Sequence, residues 1–173
     1  CDHCNFASLP ASGAQNERDA FHTMDTQTRL LTFVNQLHAW KVVLSGGGEP
    51  LIEPVMVERF IEQVRSERLE EIEVITSGFW GKTPGAARKM LTHLAHAYRR
   101  RPSTSHAKFS LRLSVDWFHQ RAMGLLPIEH ILRLFDTPEF ADVHCYIRSV
   151  LLLEDSTIQG LATALGAHLS SLA

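Results

Sequence analysis

Four short apolar segments recur at nearly constant intervals, and they limit what this chain can fold into more than any other feature of it. They are Lys41–Ser45, Glu71–Thr76, Phe109–Val115, and a run from His144 through Tyr146, Ile147, Val150 and Leu151 to Leu153. The first carries Val42 to Leu44, a β-branched and apolar run suited to a parallel strand covered on both faces. The second alternates and then turns apolar, and the third alternates apolar and polar residues throughout. Helical patterns lie around them. Leu30, Leu31, Val34 and Leu37 fall at helical spacing after Asp25 or Thr26. After Pro54 come Val57, Phe60, Ile61 and Val64, with Glu58, Glu62, Arg65 and Glu67 on the wet face. Ala87, Met90, Leu91, Leu94 and Ala95 face inward along a helix from Gly85 to Arg100, whose basic tail suits a helix C-terminus. Pro127 opens a helix through Ile131, Leu132 and Phe135, and Thr157 to Leu172 is a last amphipathic helix. Strands therefore begin near 41, 72, 108 and 145, one βα unit every 31 to 37 residues, as right-handed parallel crossovers require. The fold class is α/β, either a doubly wound sheet or a partial (β/α) barrel, with residues 1–173 forming one domain.

Composition narrows the partners. A 45% hydrophobic, 21% charged chain with net charge −2 argues against a general nucleic-acid or anionic-membrane binder, although Arg99-Arg100-Arg101 is a local basic cluster. No apolar run approaches the length of a membrane span and no signal peptide is read, so the expected location is cytoplasmic. Three cysteines are present, two of them as Cys1-Asp2-His3-Cys4. That spacing fits a metal site or a redox pair in a reducing compartment better than a disulfide framework. With no initiator methionine before Cys1, the sequence is expected to be an excerpt from a longer protein.

Chemistry gathers at the carboxyl ends of the strands. Ser45-Gly46-Gly47-Gly48-Glu49-Pro50 follows the first, Thr76-Ser77-Gly78 the second, Ser114-Val115-Asp116 the third, and Arg148 or Ser149 lies on the fourth. In a parallel sheet these ends share one edge and converge on one mouth. The glycines leave backbone open to a ligand, and Glu49 is an acceptor beside them. No Lys-Ser/Thr follows, as a P-loop needs, and a carboxylate there repels phosphate but suits a cationic amino group. Each group taken singly has a plainer role: an ordinary turn for Thr76-Ser77-Gly78, a helix cap for Asp116, an inward polar residue for Ser114. Their recurrence at three consecutive strand ends, together with the cysteine pair, favours a site. His119 is an even choice between a substrate contact and a helix-start residue. Cys145 reads as a buried structural thiol, and Trp80 is as readily packing as binding.

This pattern resembles the radical S-adenosylmethionine superfamily. Its cluster motif is Cys-x₃-Cys-x₂-Cys, and Cys1-Asp2-His3-Cys4 is similar to the second and third cysteines, with His3 in the penultimate place. The first cysteine falls four residues before Cys1, so the resemblance implies a core domain truncated within the motif. Gly46-Gly47-Gly48-Glu49-Pro50 resembles the family's Gly-Gly-Glu-Pro segment, Thr76-Ser77-Gly78 its Thr-Asn-Gly, and Ser114-Val115-Asp116 its Ser-Leu-Asp. The implied fold is a partial (β/α)6 TIM-like barrel, parallel strands alternating with helices, its first and last strands missing from this sequence.

The resemblance implies a 4Fe-4S cluster on Cys1 and Cys4 plus one further thiolate, with an iron left open to S-adenosylmethionine. Gly46, Gly47, Gly48 and Glu49 would then accept from the methionyl amino group. Thr76, Ser77, Ser114, Asp116, Arg148 and His3 would complete the cofactor site. The implied activity is reductive cleavage of the cofactor to a 5′-deoxyadenosyl radical that abstracts hydrogen from a small molecule or peptide, with flavodoxin or ferredoxin as reductant. The alternative is a degenerate or excerpted α/β domain with a binding or structural role and no cluster, its cysteines incidental or part of a zinc site.

Overall fold

A computed structural model of the chain describes residues 23–45, 48–102, 106–149 and 156–166. Strands β1 (Lys41–Leu44), β2 (Glu71–Thr76), β3 (Lys108–Ser114) and β4 (Val143–Arg148) form a sheet in the order β1-β2-β3-β4, every pair parallel. Helices stand between them: α1 (Met24–Gln36) before β1, α2 (Pro54–Gln63) between β1 and β2, and α3 (Pro84–Arg99) between β2 and β3. Helices α4 (Trp117–Met123) and α5 (Leu126–Phe135) join β3 to β4, and α6 (Thr157–Leu165) follows. The alternation expected from the spacing is therefore what forms, because antiparallel hairpins need only a short turn whereas parallel neighbours need a crossover of this length.

Local chemistry sets the helix starts. Thr23 caps α1, its Oγ1 accepting from the Thr26 N–H at 3.2 Å, and Thr83 caps α3 in the same way through the Ala86 N–H at 3.1 Å. Pro54 and Pro84 open α2 and α3, where a missing N–H costs nothing and the ring's fixed φ already suits a helix.

Side chains alternate between the two faces of the sheet, and the faces differ sharply. Ile72, Val74, Phe109, Leu111, Leu113 and Val143 share one face. They form a single buried cluster with Val57, Phe60 and Ile61 of α2, Ala87, Leu91 and Leu94 of α3, and Ile128 and Ile131 of α5. Each of the Val, Leu, Ile and Phe side chains contributes about 1.5–3 kcal/mol through burial, so this face carries most of the driving force. Register puts Lys41, Glu71, Glu73, Ser110, Arg112, Ser114 and Tyr146 on the opposite face. That face is polar, yet Glu73 and Ser110 are buried in it.

Two elements differ from the sequence reading, and a third falls partly outside the described residues. A short helix, α4, forms directly after Asp116, where the sequence offered a helix cap only as the plainer role; its seven residues, about two turns, are too short for a clear periodic signal. Strand β4 pairs only as far as Arg148, and the expected continuation to Leu153 lies outside the described residues. Helix α6 stops at Leu165 instead of running to Leu172, because Gly166 takes φ 65° and ends it as a left-handed cap. Among the described residues no helix is long and apolar enough to cross a membrane.

Candidate functional site

A cleft of about 280 Å³ opens at the carboxyl edge of the sheet. Ser45 from the end of β1, Ile75 from β2, Arg112 and Ser114 from β3, and Arg148 and Ser149 from β4 line it, with Asp116 and His119 from the start of α4. Ser114 and Arg148 are register partners on neighbouring strands, and both line the cleft. The pairing continues one residue further, the Val115 N–H donating to the Arg148 carbonyl at 2.8 Å, so the rim is fixed by backbone.

Asp116 is almost fully buried and works as the cap of α4. Its Oδ1 accepts from the Phe118 N–H at 3.0 Å, the His119 N–H at 3.1 Å and the His119 ring Nδ1 at 2.8 Å. With a carboxylate accepting, Nδ1 is the ring's donor, and His119 is held against the cleft wall by its own helix cap. The plainer role foreseen for Asp116 is thus present alongside its place in the cleft lining.

Glu49 and Ser77 meet beside this cleft. Glu49 Oε2 accepts from the Ser77 N–H at 2.7 Å and from its hydroxyl at 2.6 Å, while Oε1 accepts from the Leu51 N–H at 3.3 Å. Pro50 starts a short 3₁₀ turn at that point, with Glu49 as its cap. Gly48 is exposed at φ 137°, a conformation that favours glycine, and an added Cβ would meet no atom within 4 Å.

Thr76 does not join this group. Its register partner is Leu113, which puts it on the apolar face, fully buried. Its Oγ1 accepts from the Gly78 N–H and from Trp80 Nε1, both at 3.1 Å. The hydroxyl therefore folds the turn after β2 and fixes Trp80, which also answers the question about that tryptophan: it is part of the core. Cys145 packs against the same apolar cluster, and burial pushes its thiol up to about 12, which makes it an inert structural thiol. Cys1, His3, Cys4, Gly46 and Gly47 lie outside the described residues. No group of three or more His, Cys, Asp and Glu side chains able to hold a metal occurs among the described residues.

Sequence reasoning missed Arg112 and the charged ladder it belongs to. Lys41 Nζ lies 2.8 Å from Glu71 Oε2 and 3.1 Å from Glu73 Oε2, and Arg112 Nη1 lies 3.5 Å from Glu73 Oε1. Ser110 Oγ and Tyr146 Oη both donate to Glu71 Oε1, at 2.6 and 2.8 Å. Burial alone would push the Glu71 carboxyl up. The hydrogen bonds from Lys41, Ser110 and Tyr146, with the Lys41 charge, outweigh it and hold the group at about 2. Hydrogen bonding to Glu71 raises Lys41 in turn, against an opposing effect of burial. The signal was available in the alternation of Glu71-Ile72-Glu73 and of Ser110-Leu111-Arg112, which puts every charge on one face. No family model matches this chain, and no curated protein matches it either.

Proposed function

We propose that this chain is the core of a radical S-adenosylmethionine enzyme, a partial (β/α)6 barrel whose polar sheet face lines the reaction chamber. One observation carries the reading: the Gly48-Glu49-Pro50 segment is bonded to Ser77 at the same sheet edge where Ser114, Asp116 and Arg148 line a cleft. These are strand-end groups far apart in sequence. Strand order supports the barrel. It runs 1-2-3-4 without the reversal that marks the switch point of a doubly wound sheet, and a single apolar face carries the helical core.

The donor set suits the cofactor. Its amino group is a cation that needs acceptors, and the Glu49 carboxylate, with three hydrogen bonds made, retains capacity for one more. Backbone carbonyls of residues 46–48 would add to it. Carboxylate and ribose oxygens need donors, which Ser114 and Arg148 offer from adjacent strands. Cys1 and Cys4, with one further thiolate, would hold the cluster, and His3 would lie between them. When bound, the cluster and cofactor supply one-electron chemistry that ends in hydrogen-atom abstraction, with flavodoxin or ferredoxin as electron source. The protein's own part is to orient the reacting groups and keep water out.

A second reading, an α/β binding or structural domain without a cluster, is favoured by the engagement of Thr76 and Asp116 in a turn and a helix cap. Anaerobic reconstitution with iron and sulfide, on protein carrying the residues that precede Cys1, separates the two. The radical reading expects a brown protein that cleaves S-adenosylmethionine once reduced, and a Cys4→Ala variant that does neither. A colourless protein that leaves the cofactor intact leaves only the second.

A further inference from the structure

Arg112 lies on the same face of β3 as Ser114 but two residues earlier, about 6–7 Å further in from the edge of the sheet. Its guanidinium is incompletely matched. Nη1 approaches Glu73 at 3.5 Å, and that carboxylate is shared with Lys41, which is closer at 3.1 Å. Arg112 Nε is buried with no hydrogen-bond partner, and the Ser149 hydroxyl in the same cleft is also buried without one. Arg148 makes no ion pair among the described residues. The one acidic group lining the cleft, Asp116, already has Oδ1 engaged by its helix cap and by His119.

The cleft thus holds donors in excess of acceptors, at a depth where an unmatched donor is costly. Two guanidinium groups favour an anionic group at this depth of the cleft, and Ile75 alone is too little apolar surface for a hydrocarbon one. A planar or tetrahedral oxyanion is the ligand that meets the Nε edge of an arginine and a hydroxyl together.

We propose that Arg112 and Ser149 anchor the oxyanion of the substrate, which is therefore a small molecule bearing a carboxylate or a phosphate. Its assignment to a substrate rests on the radical reading above; the existence of an oxyanion site at Arg112 does not. The position fits a substrate group because it lies inward of Ser114 and Arg148, the two residues assigned to the cofactor.

The test titrates the 173-residue chain with malonate and, separately, with inorganic phosphate at fixed ionic strength, following amide shifts by NMR. S-adenosylmethionine is then added with and without the saturating anion. One of the two anions binds saturably, and which one separates a carboxylate substrate from a phosphate substrate. Arg112→Lys keeps the charge beside Glu73 but loses the fork, and weakens that anion about tenfold. Ser149→Ala, remote from the Glu73 ladder, weakens it several-fold, and neither change alters S-adenosylmethionine binding. The proposal is overturned if neither anion saturates, or if both variants bind it as the unaltered chain does. It is overturned equally if S-adenosylmethionine displaces the anion and Arg112→Lys loses both, since Arg112 then serves the cofactor. A chain that binds the anion through Arg112 but never the cofactor keeps the oxyanion site, and the reconstitution experiment above then decides the radical reading separately.

Discussion

Glu49 Oε2 is the shared acceptor for both the backbone N–H and the hydroxyl of Ser77, at 2.7 and 2.6 Å, across 28 residues of chain. This one carboxylate oxygen ties the loop after β1 to the end of β2. Glu49→Ala leaves the Ser77 donors and the Leu51 N–H without it in a half-buried site, and is expected to cost about 1–3 kcal/mol in urea unfolding. Glu49→Gln keeps one acceptor oxygen and costs less. If the carboxylate also holds an ammonium group, Glu49→Gln lowers S-adenosylmethionine affinity about tenfold while stability changes little, a split that calorimetry and denaturation read together.

Glu71 makes stability depend on acid. Folded, it titrates at about 2 against its ordinary 4.5, so between those values the unfolded chain binds the extra proton. Its stabilising contribution is complete above pH 4.5 and disappears as the pH falls through 4.5 toward about 2. The size is on the order of 2–3 kcal/mol, since the side chain is mostly covered. Glu71→Gln is therefore expected to be less stable than the unaltered protein at neutral pH. The two should converge when unfolding is measured at successively lower pH. Parallel curves would remove Glu71 from the acid response.

Much of this fold was readable because its signals are periodic. Strands β1 to β3 fall within a residue or so of their expected bounds, since apolar runs or apolar–polar alternation end there at small or polar turn residues. Helix α4 was legible only as an alternative: Asp116 read as a site residue or a helix cap, and its capping of Phe118 and His119 depends on where β3 releases the chain. The placement of Thr76 was not legible for a related reason. A strand-end threonine can face the mouth or the core, and only register against Leu113 decides which. Arg112 went unnoticed because its significance comes from Glu73 and Lys41 on other strands, and no local pattern announces a cross-strand charge ladder.

Gly81 is held to glycine by space alone. A Cβ there would lie 2.2 Å from the Pro127 carbonyl oxygen and 2.9 Å from Ile131, so the turn after β2 and the start of α5 would have to part. At Gly78 the nearest atom is the movable Ile128 Cδ1 at 2.6 Å, but φ is 78°. Gly81→Ala is expected to lower stability by about 3 kcal/mol or more, because backbone must shift. Gly78→Ala combines a left-handed penalty of about 1–2 kcal/mol with a contact that a rotamer change can relieve. Thermal unfolding of both variants should rank Gly81→Ala as the more damaging.

Thr76 separates a folding role from a cofactor role. Its hydroxyl oxygen accepts from the Gly78 N–H and from the Trp80 indole, both buried. Thr76→Val has nearly the same shape but no acceptor, so two buried donors lose their partner and the expected cost is about 2–4 kcal/mol. Thr76→Ser restores the oxygen and should recover most of that, less the value of one methyl group. If Thr76 acts only in folding, both variants bind S-adenosylmethionine as tightly as the unaltered chain at temperatures where they remain folded. A loss of cofactor affinity in Thr76→Val that exceeds its unfolded fraction would put the hydroxyl back in the site. Its burial on the apolar face and its two buried hydrogen bonds argue for the first outcome.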